Sequence, residues 1–333
     1  MLIKQATIKD VEIIRSFIND KWKENHIVSR DKSFFNYQHK INNKINFIVA
    51  KNNKELIGIL GYIPSSTDRV TDVFTVIWKV LDNQNPLLGI QMLKFLEKKK
   101  DVRYVFSNGI NPKTFGLYKY LGFYINKLDH YVMINDNLKK FNIAELSHLN
   151  FNSTFNSNKN IKHKISILGN VNELDNFNFG DSSNHIPYRN REYFIRRYLK
   201  HPVFKYSIYL IFKYDKLVSI YVTRIQKKNS SKIIRIIDFY GDQNTLGCFS
   251  NYIYNLLLKY SYEYVDFYCF GMNHEKLISS GFNLVNHESN DVIIPEYFYP
   301  FEKKNIDIYF FSNTKQINEI KIFKGDGDMD RPS

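Results

Sequence analysis

Two stretches of this chain, "IVAKNNKELIGILGYI" at 48–63 and "YLIFKYDKLVSIYVTRI" at 209–225, share one pattern: an apolar run, a short polar turn and a second apolar run. Each reads as a β-hairpin. Leu56 and Leu217 hold matching places, and a Gly-Phe pair follows each at nearly the same distance: Gly122 after 66 positions (122 − 56) and Gly281 after 64 (281 − 217). Between hairpin and Gly-Phe, "QNPLLG" ahead of one helical stretch is echoed by "QNTLG" ahead of another. The spacing predicts a tandem duplication of one unit. It excludes solenoids and propellers, whose repeats run roughly 20 to 50 residues.

Within the first unit, Thr7 stands as a helix cap with Asp10 three residues on, and Val11, Ile14, Phe17 and Ile18 share one face. A polar helix is predicted over 31–41. A strand rich in β-branched and aromatic residues is predicted over 73–81, and an amphipathic helix over 89–100 with Met92, Leu93 and Leu96 inward. "RYVFSNG" reads as a strand, "PKTFGLYKYL" as a helix, and "GFYINKLDHYVMI" as one strand or two. Strands alternating with helices imply a layered α/β unit with a mixed sheet. After the second hairpin, "CFSNYIYNLLLKY" and "NHEKLISS" read as helices, with "YVDFYCFG" and "FNLVNH" as strands. The predicted domains are 1–140 and 163–322, joined by an Asn- and Ser-rich linker at 141–162 and followed by a flexible acidic tail at 323–333. The carboxylates at 326, 328 and 330 imitate the start of a calcium loop, but Arg331 stands where such a loop needs glycine. No metal is expected.

Composition narrows the function. The 333 residues are 44% hydrophobic and carry a formal charge of +14, which points to an ordered globular chain with an anionic partner. No window nears 18 unbroken apolar residues and the first residues lack an apolar signal core, so integral membrane association is not expected. Cys248 and Cys269 form no C-x-x-C pair; a disulfide or zinc framework is not expected, and a cytoplasmic location fits. The lysines are scattered and no nucleic-acid-binding motif is present, so no nucleic-acid partner is predicted.

Two motifs carry chemistry. Gln84-Asn85-Pro86-Leu87-Leu88-Gly89 lies between the strand ending at Leu81 and the next helix. A helix start presents unpaired N–H groups and the positive end of the macrodipole, a natural seat for pyrophosphate. Farther on, Asn111 is followed by Leu117-Tyr118 and then by Gly122-Phe123. Gly122 suits the left-handed residue that stops a helix. In order and spacing these two segments resemble the acyl-CoA loop and the last helix of GCN5-related N-acetyltransferases, over about residues 1–135. Leu87 departs from that family, which has a glycine there. The resemblance implies an α/β (α+β) fold of two tandem domains, each a mixed, mostly antiparallel sheet flanked by helices. It implies acetyl-CoA as co-substrate, held by Val80, Leu81, Gln84, Leu87, Leu88, Gly89, Ile90 and Asn111. It gives Tyr118 the role of general acid toward the departing thiolate, which suits a phenol protonated at neutral pH.

The acceptor is read less directly. His26, Asp31 and His39 lie in the region that closes over the acceptor in this family, and Trp78 offers a stacking face. In the second unit, "NHIPYRNREYFIRRYLKHP" interleaves Arg189, Arg191, Arg196 and Arg197 with Tyr188, Tyr193 and Tyr198, and Arg189 and Arg191 are assigned to an anionic ligand. That unit has no tyrosine matching Tyr118: Leu277 falls where the leucine would, and Ile278 follows it in place of the tyrosine, which implies lost acyl-CoA chemistry. The whole chain resembles acetyltransferases of surface-polysaccharide pathways, and the favoured acceptor is the amine of a nucleotide-linked amino sugar. Other readings are an aminoacyl-tRNA-dependent transferase of the peptidoglycan-bridge type and a non-catalytic tandem binding protein. A homodimer is compatible with the sequence.

Overall fold

The computed structural model describes residues 1–41, 43–53, 55–146, 163–181, 185–289 and 291–332. β1 (Leu2–Gln5) leads into helix α1 (Val11–Phe17), whose start is the expected capping box: Asp10 accepts from the Thr7 N–H at 2.8 Å and the Thr7 hydroxyl at 2.9 Å. Short α2 (Ile27–Arg30) and α3 (Lys32–His39) follow. Asp31, a candidate acceptor contact, is spent as the cap of α3, accepting from the N–H groups of Ser33 and Phe34. The first hairpin is β2 (Phe47–Asn52) and β3 (Glu55–Pro64). β4 (Thr71–Val80) pairs antiparallel with β3, and helix α4 (Leu88–Glu97) carries the chain to β5 (Val102–Asn108), parallel to β4. Helix α5 (Phe115–Tyr120) then leads to β6 (Tyr124–Lys127).

The next strand, β7 (Asp129–Ile134), leaves this sheet for the second one, which is built from β8 (His163–Ile167), β9 (Ser207–Lys213), β10 (Lys216–Lys228), β11 (Ser231–Gly241), β12 (Tyr264–Phe270) and β13 (Asn283–Leu284). Helix α6 (Arg191–Phe194) precedes β9, α7 (Leu246–Lys259) crosses from β11 to β12, and α8 (His274–Ser279) precedes β13. Near the end of the chain, β14 (Tyr309–Ser312) returns to the first sheet. The strand orders are β1-β2-β3-β4-β5-β14-β6 and β8-β9-β10-β11-β12-β7-β13. Each lobe thus lends the other the strand that fills its penultimate slot. The two crossings meet where the Leu128 N–H donates to the Ile308 carbonyl at 2.9 Å, both residues buried. A cut at residue 140 therefore does not separate the sheets. Each exchanged strand satisfies backbone groups that would otherwise lie unpaired inside the molecule.

The expected linker is also drawn in. Asn142, Ile143 and Ala144 donate their N–H groups to the Glu263 carboxylate, and Glu145–Leu146 pairs with Val292–Ile293. Residues 147–162 lie outside the described residues. The expectation of a flexible acidic tail is overturned. Asp326 and Asp330 are 0% and 2% exposed. Arg189 Nη2 donates to both carboxylate oxygens of Asp326, at 2.7 and 2.8 Å, and Asp330 accepts from Arg224 and from the Tyr206 hydroxyl. Lys324 is buried against Glu296. A run of Gly and Asp reads locally as solvated; here Asp326, Asp330 and Lys324 each meet an opposite charge supplied by a distant segment, and Asp328 pairs locally with Arg331.

Five buried histidines are held neutral, chiefly by burial. His26 and His130 are pulled down to about 4, His39 and His201 to about 3, and His185 well below its usual value. Between about pH 6.5, where unfolded histidine titrates, and pH 4, the unfolded chain takes up protons that the folded chain refuses. Stability should therefore fall as pH drops through that window, at about 1.4 kcal/mol per histidine per pH unit. Asp238, pushed up by burial and by Asp326, and Asp129, pushed up by burial, work in the opposite direction but are two groups against five. Melting temperatures measured from pH 7 to pH 4.5 test this; a flat profile would refute it.

Candidate active site

β4 and β5 run together from Thr71 and Val102 to Thr75 and Ser107, then part. Two side chains close the last rung: the Thr75 hydroxyl donates to the Phe106 carbonyl at 3.2 Å and the Ser107 hydroxyl to the Thr75 carbonyl at 3.1 Å. Beyond it, β5 is drawn to the exchanged strand, its Gly109 and Ile110 N–H groups both donating to the Tyr309 carbonyl. The edge of β4 over residues 76–80 is left without a partner strand among the described residues. Such an edge offers alternating donors and acceptors to an extended, amide-bearing chain.

Helix α4 begins at the mouth of this cleft. Asn85 accepts from the Leu87 N–H through its side chain and from the Leu88 N–H through its carbonyl, both at 2.9 Å. The Gly89 and Ile90 N–H groups have no acceptor among the described residues, so they are free for an anion. Leu87 has φ −84°, an ordinary right-handed residue with an exposed side chain; no glycine is required there. At Gly89 the need is for space, since a first side-chain carbon would sit 3.3 Å from Trp78 Nε1. Trp78, assigned above to the acceptor, thus lies beneath the helix start, its ring 6.5 Å from that of Tyr118. Val80 and Leu81 line the same end of β4, half-buried, while Gln84 donates its backbone N–H to the Leu81 carbonyl and its side-chain amide to the neighbouring Asn83. Asn111 caps the turn before α5, accepting from the Lys113 N–H at 3.0 Å.

Helix α5 ends as its sequence predicts. Gly122 has φ +75°; its N–H donates to the Lys119 carbonyl at 2.9 Å, and the Phe123 N–H donates to the Tyr118 carbonyl at 3.0 Å. This double closure places Phe123 back over the third-last helical position, so the rings of Phe123 and Tyr118 stack with centroids 6.3 Å apart. The other support is Phe311 of β14, 4.3 Å from the Tyr118 ring. Tyr118 is 5% exposed. Burial raises its pKa while the Thr114 hydroxyl pulls the other way, and the phenol stays protonated at neutral pH. Sequence reasoning could not find Phe311, whose role arises only from the strand exchange.

The second lobe repeats this geometry with its cleft filled. β11 and β12 pair from Ile234 and Val265 to Ile236 and Phe267, then part. Into the gap comes the chain's own β15 (Ile322–Phe323), paired with Cys269 and Phe270 of β12, and the Gly325 N–H donates to the Ile237 carbonyl at 2.8 Å. The Phe323 ring stacks on Phe267 at 5.6 Å. Gly325 must be glycine, because a first side-chain carbon would lie 2.5 Å from the Tyr198 hydroxyl. α8 stops in the same way, the Gly281 N–H donating to the Ile278 carbonyl and the Phe282 N–H to the Leu277 carbonyl, so buried Leu277, and not the expected Ile278, stands in the register of Tyr118.

The residues expected at the acceptor side divide. His26 is buried, its Nδ1 accepting from the Val28 N–H at 3.3 Å, which leaves the proton on Nε2, without a partner. His39 is buried against Phe47, with ring centroids 4.5 Å apart, and its Nδ1 is also unpartnered. Arg189 and Arg191 are not available to a ligand. Arg189 is sealed between Asp326, Asp238 and His185, and Arg191 is paired with Asp175 and Glu192 on the surface. Alternating Arg and Tyr cannot reveal which arginines find carboxylates from other segments. Arg196 and Arg197, farther along, reach a hollow between the lobes.

Parted parallel strands and a glycine-stopped last helix, present twice with strands exchanged, and a tyrosine on that helix in the first lobe define the GCN5-related N-acetyltransferase fold in tandem. A GCN5-related N-acetyltransferase from Anabaena variabilis ATCC 29413 is similar over 93% of this chain and 72% of its own, with a TM-score of 0.57 and 12% identity. A conserved protein of unknown function from Enterococcus faecalis V583 is similar over 96% of this chain and 73% of its own, with a TM-score of 0.57 and 8% identity. These likenesses are of fold. No family profile and no curated protein matches the sequence. Among the described residues no helix is long and apolar enough to cross a membrane.

Proposed function

We propose that this chain is an acyl-CoA-dependent N-acyltransferase that moves acetyl from acetyl-CoA to the amine of a nucleotide-linked amino sugar, with one working cleft. The observation that supports it most is the contrast between lobes: one cleft is open, with free N–H groups at its mouth and Tyr118 on its flanking helix, while the other is filled and carries Leu277. The pantetheine arm would lie along residues 76–80, with its pyrophosphate at Gly89 and Ile90. The acceptor amine attacks the thioester carbonyl, and the tetrahedral intermediate collapses as the C–S bond breaks. The amine's proton leaves to water. The departing thiolate takes the Tyr118 proton, giving amide and free CoA, and solvent reprotonates the phenolate. The +14 charge suits an acceptor bearing phosphates.

Binding tests this directly. Acetyl-CoA at 100 times its dissociation constant should stabilise the fold by about 2.7 kcal/mol, read as a rise in melting temperature, and charged tRNA should not. Incubation with acetyl-CoA and a panel of nucleotide-linked amino sugars, followed by mass measurement, identifies the acceptor. No thermal shift with acetyl-CoA would reject the reading.

A further inference from the structure

Between α3 and the helical segment of the second lobe lies a solvent-open hollow, walled by Tyr37, Gln38, Ile63, Pro64, Tyr193, Arg196 and Arg197 among others. Its charges are unbalanced. The other deeply placed arginines each face a carboxylate: Arg189 faces Asp326, Arg224 faces Asp330 and Arg235 faces Asp266. Arg196 and Arg197 have none within ion-pair distance among the described residues, and Arg197 is only 6% exposed. Their hydrogen-bond partners are neutral carbonyls. Arg196 Nη2 donates to the carbonyls of Tyr37 and Gln38, and Arg197 Nε and Nη2 share the Gly325 carbonyl. Burial and the neighbouring Arg197 pull Arg196 down to about 10, the mark of a cation short of a counter-charge.

Two further groups in the same wall lack partners. The Tyr193 hydroxyl and Gln38 Oε1 are buried and bonded to nothing among the described residues. A buried hydroxyl left unpaired costs stability and signals a missing partner. Two adjacent guanidinium groups, a free phenol and one free acceptor form a built receptor for an oxyanion that also carries a hydroxyl.

We infer that this interlobe hollow binds an oxyanion of the phosphate or carboxylate class and anchors the acid group of the acceptor. The second clause rests on the acyltransferase reading; the binding itself does not. Placement favours the link. Ile63 and Pro64 in the wall pair with Phe74 and Val73 of β4, and that strand parts from β5 only two residues beyond Phe74, about 7 Å along the chain.

The test is calorimetric titration of the full chain with inorganic pyrophosphate and, separately, malonate, repeated for Arg196→Gln and Tyr193→Phe. Wild type should bind at least one probe, and both variants should bind it at least tenfold more weakly; the preferred probe tells phosphate from carboxylate. Tyr193→Phe removes an unpaired hydroxyl and should melt no lower than wild type, which separates lost binding from lost folding; Arg196→Gln also gives up its bonds to the Tyr37 and Gln38 carbonyls, so its binding is compared at a temperature where circular dichroism shows it folded. No binding by wild type, or binding that survives in both variants as binding at the Gly89 mouth would, overturns the inference. The acetyl-CoA thermal shift on Arg196→Gln serves as the separate check. If acetyl-CoA fails to bind while pyrophosphate binds here, the acyltransferase reading falls and the anion site stands.

Discussion

Tyr118→Phe is expected to lower acetyl transfer by about 10² to 10⁴, the range for removing a general acid, and to leave acetyl-CoA affinity nearly unchanged. The asymmetry follows from how the ring is held. Phe123 and Phe311 grip its faces, and the bond from the Phe123 N–H to the residue 118 carbonyl belongs to the backbone. Phenylalanine keeps all of these and loses only the hydroxyl, so the melting temperature should hold. In the proposed reading acetyl-CoA is held by the edge of β4 and the start of α4, which the substitution does not touch. The loss should therefore appear in kcat with KM for acetyl-CoA unmoved, the signature of an interaction made only in the transition state. Equal turnover would reduce Tyr118 to a packing residue.

Deleting residues 323–333 should abolish cooperative folding or cost more than about 5 kcal/mol, a loss comparable to the whole stability of many domains. The deletion strips Arg189 of Asp326 and Arg224 of Asp330, and removes the carbonyl that Arg197 shares. It also empties the second cleft, exposing the ring of Phe267 where Phe323 had stacked. A milder form is Asp326→Asn, which breaks one buried pair and should cost about 3–5 kcal/mol. Urea unfolding followed by circular dichroism reads both. A truncated chain that unfolds like the intact one would return this segment to the flexible tail its composition suggests.

These two results probe different kinds of legibility. The local geometry around Tyr118 was readable because its parts lie close in sequence: the cap at Asn111, the tyrosine, and the glycine at φ +75° span a dozen residues. The hairpins, α4 and the repeat were readable for the same reason, since apolar periodicity and turn chemistry act over one element at a time. Leu87 shows a limit of motif matching. The loop dispenses with a glycine there because Asn85 holds it in a right-handed turn.

What the amino-acid sequence determined by itself was the duplicated α/β unit, the helix start at Gly89 and the register of Tyr118, each encoded by neighbours along the chain. Only the tertiary structure decided that β7 and β14 change sheets, that the last residues fill the second cleft, and which arginines are left without a carboxylate. Arg189 and Asp326 are 137 positions apart, and Tyr118 and Phe311 are 193 apart (311 − 118). Contacts at such separations leave no spacing to read; they exist because buried charges and open strand edges must find partners wherever the folded chain brings them.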